Sequence, residues 1–193
     1  VEDSSKNQNA FNAYGAIVNG KAVCEGYAEA YQYLLQKVGI QSYIVSGSSK
    51  EQQHEWNLVR LDGKYYYTDV TWDDPITESE DENKPIYYPY FNITTARLTE
   101  DHMITDTYGI LPICTDESLM YKGYAKLDSF TVDSVAALFN QQIGSQKIVR
   151  IYVTGSLEEF QTQLGNNFNA VGLKAGLISA IGSFVGREIY LVG

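Results

Sequence analysis

The run HEWNLVRLDGKYYYTDVTW, residues 54–72, admits few folds. Two stretches rich in β-branched and aromatic residues flank Asp62-Gly63. A two-residue Asp-Gly loop, which tolerates positive φ at both positions, is what a tight antiparallel hairpin requires. With Asp62 and Gly63 as the loop, Leu61 faces Lys64 and, counting outward, Trp56 faces Asp69. Side chains alternate faces along a strand, so His54 shares a face with Trp56 and therefore with Asp69. The two become diagonal neighbours about 5–8 Å apart at Cβ. A four-residue loop on the same centre keeps this register; a three-residue loop breaks it. Asp is depleted in strands, so solvation explains Asp69 poorly.

The chain holds two cysteines, Cys24 and Cys114, too few for a disulfide framework. From Cys24, apolar residues recur at Tyr27, Ala28, Tyr31, Leu34, Leu35 and Val38, the spacing of an amphipathic helix. Gly39 follows, where a left-handed cap ends a helix. The pattern predicts a helix over 23–38 that opens at Cys24, with Gly26 allowing close backbone approach. On composition alone such a cysteine is a small buried hydrophobe. At a helix N-terminus, however, the helix dipole favours thiolate, an imidazole can take the proton, and a carboxylate can fix the tautomer. The expected roles are Cys24 as nucleophile, His54 as base and then acid, and Asp69 as the group orienting His54. The Cys24 backbone N–H would be one oxyanion donor. His102, in the polar segment TEDHM, is expected to be structural or solvent-exposed. Trp56 and Trp72 are expected to pack, with Trp56 walling the site as a substrate-side candidate.

Composition narrows the partners. Hydrophobic residues make up 44% of 193, enough for a packed core, and the net charge of −10 disfavours nucleic acid and anionic membranes. The longest apolar run, Ala175 to Val185, is too short to span a bilayer. No Cys/His grouping has zinc spacing, and DDPITESEDE fits no EF-hand pattern, so neither metal nor cofactor is expected. Many Tyr, Asn, Ser and Thr with few Lys and Arg suggest a secreted or cell-surface protein.

Elsewhere, residues 1–13 read as an extended or frayed lead-in, SYIVSG as a strand, SGSSKEQQ as a loop, IYYPYFNIT as an edge strand and TEDHM as a polar turn or helix. Beyond residue 112 the texture changes. TVDSVAALFNQQI and SLEEFQTQLG read as helices, the latter with a Ser156/Glu159 capping box, and KIVRIYVTG and REIYLVG as strands. NAVGLKAGLISAIGSFVG fits helix or irregular chain. The division is a core over 1–112 and a small α/β unit of unknown role over 113–193.

AYGAIVNGKAVCEGYAEAYQYLLQKVGI followed by HEWNLVRLDGKYYYTDVTWDDP resembles the transglutaminase-like superfamily in its bacterial cysteine protease-like branch, over about residues 13–105. The resemblance implies an α+β, papain-like core: a cysteine at a helix N-terminus packed on an antiparallel sheet, with His and Asp on successive strands. It assigns the triad to Cys24, His54 and Asp69. It implies a core that begins upstream of Val1, and a second oxyanion donor from the upstream segment, for which Tyr14 and Asn19 are the candidates present. The implied activity is thiol-dependent acyl chemistry on a peptide or protein amide through a thioester, foremost proteolysis. Amine transfer uses the same acyl-enzyme. A non-catalytic surface-binding or scaffolding module is the reading from another class.

Overall fold

The computed structural model describes residues 8–74, 88–105, 109–128, 131–142, 148–153, 162, 181–185 and 188–192. Its contacts divide the chain into one unit of Val1–Glu80 with Tyr90–Met120 and another of Asp81–Pro89 with Tyr121–Gly193, so residues 113–120 belong with the first.

The first unit is mixed α and β. A 3-10 turn at Gln8–Phe11 stands within the expected extended lead-in, and helix α1, Ala13–Ile17, follows it. The Asn12 side chain caps α1 through Gly15 N–H at 3.2 Å, and Glu29 accepts from Ala13 N–H at 3.0 Å. Helix α2, Cys24–Lys37, follows the predicted span closely. Gly39, at φ +78, ends it: Gly39 N–H donates to Gln36 and Ile40 N–H to Leu35, the Schellman arrangement.

Four antiparallel strands form the sheet, β1 Gln41–Ser49, β2 Gln52–Leu61, β3 Lys64–Thr68 and β4 His102–Ile104, in the order β3-β2-β1-β4. Helix α2 packs on β1 and β2, where buried Asn57 donates to the Ala28 carbonyl at 3.0 Å. On another side, Gly26 lets α2 approach the 3-10 turn, because a Cβ there would lie 2.6 Å from the Ala10 carbonyl oxygen. Val45, Trp56, Leu58, Tyr66, Tyr67, Ile93 and Leu98 form the core.

The Asp62-Gly63 hairpin has the expected register, Leu61↔Lys64 through Asn57↔Thr68, with φ of 49 and 80 at the loop. Strand β3 stops one residue short of Asp69, which instead caps the short helix α3, Val70–Asp73. A Gly63→Val variant should lose about 1–2 kcal/mol, since a β-branched residue is strained at that φ. Thermal denaturation reads this directly; an unshifted midpoint would show that the loop relaxes without cost.

Four expectations are corrected, one being NAVGLKAGLISAIGSFVG, whose described residues form the strand Ile181–Val185 where helix or irregular chain was expected. SGSSKEQQ is a second hairpin, with β1 and β2 joined at Lys50-Glu51, both at positive φ. Within the described part of IYYPYFNIT there is only an isolated bridge, Tyr67↔Ile93. TEDHM runs from the end of helix α4, Thr95–Leu98, into β4, so His102 is a buried strand residue.

In the second unit, helix α5, Val132–Gln142, accompanies a mixed sheet in the order β5-β6-β8-β7. Its strands are β5 Ala125–Leu127, β6 Ile148–Val153, β7 Ile181–Val185 and β8 Glu188–Val192. β5 runs parallel to β6, and the remaining pairs are antiparallel. Val135, Ala136, Phe139, Val149 and Ile151 are buried there. The expected helix SLEEFQTQLG lies outside the described residues except at position 162.

Candidate active site

Cys24 is the first residue of α2, after an extended Val23 that offers no side-chain cap. The helix N-terminus is thus left facing the thiol. Cys24 and His54 both border the cleft, and His54 with the backbone N–H groups of Glu55 and Glu25 favours the thiolate. Burial pushes the thiol pKa up. The His54 hydrogen bond, the Glu55 N–H, the His54 charge and the Glu25 N–H together outweigh that, so the pKa falls below the ordinary thiol value. Cys114 shows the opposite: burial raises its pKa, and only a Thr95 hydrogen bond opposes. Both cysteines are free thiols.

His54 Nε2 lies 2.6 Å from Asp69 Oδ2. Burial disfavours the imidazolium, but the Asp69 and Cys24 hydrogen bonds and charges raise its pKa to about 9. The linked stability is therefore fully present below an unfolded-state value near 6.5 and is lost as pH rises through about 9. Asp69 behaves oppositely. Burial raises its pKa, yet hydrogen bonds from His102 and His54 hold it below the usual carboxylate range, so its contribution is lost only as pH falls through that depressed value.

The carboxylate is fully used. Asp69 Oδ1 accepts from the N–H groups of Thr71 and Trp72 at 3.0 and 3.2 Å, and Oδ2 meets both His54 and His102 Nε2, the latter at 3.1 Å. The second histidine thus shares the Asp69 oxygen with His54, its ring 5.6 Å from that of His54. Its Nδ1 lies 2.6 Å from Asp101 Oδ1. Sequence reasoning missed this because TEDHM is polar and β4 too short to show alternation. The signal available was an Asp-His pair in a chain with only two histidines.

Trp56 is completely buried behind the two imidazoles, its ring 5.8 Å from that of His54 and 5.1 Å from that of His102. It is a wall of the site and has no exposed surface to offer a substrate. Trp72 closes another side, 6.1 Å from His54, with Lys50 Nζ 4.5 Å above its ring. A cleft of about 610 Å³ opens at Cys24 and His54, bounded in part by Phe11, Gly47, Gln53 and Met103. Tyr14 and Asn19 are exposed and do not line it.

Ligand atoms of His54, Asp69 and His102 lie within 4.8 Å of one another. Each is already hydrogen-bonded within the trio and all three side chains are buried, so the geometry is that of a hydrogen-bonded chain.

No family model matches the sequence. Curated relatives do. The likeness is to kyphoscoliosis peptidase. The chain is 28% identical to the proteins of that name from Mus musculus and from Homo sapiens over 111 residues, covering 50% of this chain. It spans only 17% of the length of either relative.

Proposed function

We propose that the first unit is a transglutaminase-like cysteine peptidase core of papain-like arrangement, acting on peptide or protein amides. The observation that carries this reading is the placing of Cys24, at the start of α2, and His54 on one open cleft, with Asp69 buried behind them 2.6 Å from His54 Nε2. The partial likeness to a protein named as a peptidase supports it.

In the proposed reaction the Cys24 thiolate attacks the amide carbonyl carbon, forming a C–S bond and moving the π electrons onto oxygen. The N–H groups of the helix N-terminus stabilise that charge, the Cys24 N–H foremost. The His54 imidazolium gives its proton to the departing nitrogen as the C–N bond breaks, leaving a thioester and neutral His54. Neutral His54 then takes a proton from water, whose oxygen attacks the thioester; collapse releases the acid, and the sulfur leaves as thiolate beside a restored imidazolium. Asp69 keeps Nε2 protonated throughout and offsets the imidazolium charge.

Iodoacetamide labelling against pH tests the site. Cys24 should label faster than Cys114 at neutral pH, with an inflection below the ~8.5 of a free thiol. Peptide cleavage, read by mass spectrometry on a mixed peptide pool, should rise through that inflection and decline as His54 loses its proton near pH 9. A Cys24 that labels no faster than Cys114, with no cleavage at any pH, would replace the enzyme with a binding module.

A further inference from the structure

We propose that His102 and Asp101 form a positioning pair for the reaction: His102, donating from both ring nitrogens to carboxylates, fixes Asp69 against His54 and places a permanent positive charge beside the pair. This rests on the roles assigned above to Cys24, His54 and Asp69. His102 Nε2 faces Asp69 Oδ2 at 3.1 Å and Nδ1 faces Asp101 Oδ1 at 2.6 Å. A neutral imidazole carries one N–H, and its other nitrogen would then set a lone pair against a carboxylate oxygen. Only the imidazolium satisfies both contacts. The side chain has no exposed surface, so water cannot take over either contact.

The surroundings agree. The groups facing His102 are Asp69 at the end of β3, Asp101 before β4, His54 of β2 with its ring centroid 5.6 Å away, and Tyr90, whose ring centroid lies 5.3 Å away. Tyr90 OH donates to Asp101 Oδ2 at 2.5 Å, and Arg97 Nη1 of α4 stands 3.8 Å from the same oxygen. Both hold Asp101 as a carboxylate. Trp56 and Trp72 complete the enclosure without charge. Each imidazole thus lies against Asp69, His102 also lies against Asp101, and the two rings stand 5.6 Å apart.

The outer cation has a definite effect on the inner pair. It repels the His54 imidazolium and attracts the Cys24 thiolate, so it lowers the pKa of both. Without it, Asp69 would clamp the proton on His54 harder and the thiol would ionise later. His102 thereby moderates the base, keeping its proton transferable to a leaving amine.

His102→Gln keeps a donor for Asp69 and removes the charge. Asp101→Asn removes the group that holds His102 protonated, at a half-exposed position where folding is less at risk. Neither residue lines the cleft. Ring nitrogen shifts of His102 in the unaltered protein should report the doubly protonated form at pH 7. In both variants the Cys24 labelling inflection and the His54 titration should move upward together by about 0.5–1 pH unit. Turnover of a cleaved peptide should fall about tenfold in kcat with KM within about twofold. A merely structural role would lower the melting temperature and leave both titrations in place. That result, or a neutral His102 at pH 7, overturns the proposal. Labelling and ring shifts need no turnover, so a chain that cleaves nothing would sink the peptidase reading while leaving this one decided on its own data.

Discussion

Peptide turnover is expected to fall to background on Cys24→Ala, with the folded state intact. The thiol is half-buried at the start of α2 and fills no core position, so its removal leaves the packing of Trp56, Leu58 and Ile93 untouched. His54→Ala should cost about 10³-fold or more in kcat, since it removes both the proton acceptor and the counter-charge of the thiolate. The same variant should move the labelling inflection of Cys24 upward and slow labelling at neutral pH. Combining the two substitutions should be no worse than Cys24→Ala alone, because residues acting as a unit are not additive. A His54→Ala protein that cleaves peptide at an undiminished rate, or labels with an unmoved inflection, would remove His54 from the mechanism.

The largest effect on stability is expected at Gly47, the partner of His54 across β1 and β2 and of Ile104 across β1 and β4. A Cβ there would lie 2.2 Å from the Met103 carbonyl oxygen and 2.5 Å from Cη2 of Trp56. The first contact is with backbone, which yields only if β4 separates from β1. The second is with a fully buried ring that lies against both histidines. Gly47→Ala should therefore destabilise the first unit by about 2–4 kcal/mol. It should also blunt the labelling of Cys24, because moving Trp56 or β4 displaces His54 or His102. Gly109→Ala is the control, since nothing lies within 4 Å of its added Cβ and its φ is ordinary. Equal melting of the Gly47→Ala and unaltered proteins would show that β4 is not held as closely as described.

Much of this site could be read in the chain because its determinants are local. Asp62-Gly63 fixes a register, and a register fixes which side chains share a face; His54 and Asp69 follow from that alone. The α2 helix announces itself through its apolar spacing and Gly39. What was illegible depends on distant partners or permissive chemistry. Lys50-Glu51 turns the chain with no glycine, asparagine or proline, held in the left-handed region by the strands on either side. Strand β4 is three residues long and exists only because β1 is there to pair with it. His102 could not be placed until that pairing was known. Asp69 was read as a strand residue, and its second duty as the cap of α3 went unseen. That duty bears on what Asp69→Asn would do. One amide oxygen can still cap α3, but the NH₂ group then confronts the ring nitrogens of His54 and His102, so stability falls along with activity.

The double use of Asp69 bears on how a lineage of such proteins can lose its chemistry. One oxygen faces His54 and His102 and the other serves the chain's change of direction into α3, so no single substitution there is neutral to folding. Cys24 carries no comparable structural obligation. A descendant released from selection for turnover, but still selected as a folded surface, would be free to drift at the thiol while the carboxylate stays. Relics of this fold should thus be recognised by an Asp at the strand end with a small residue where the cysteine stood. The reverse pattern should be rare.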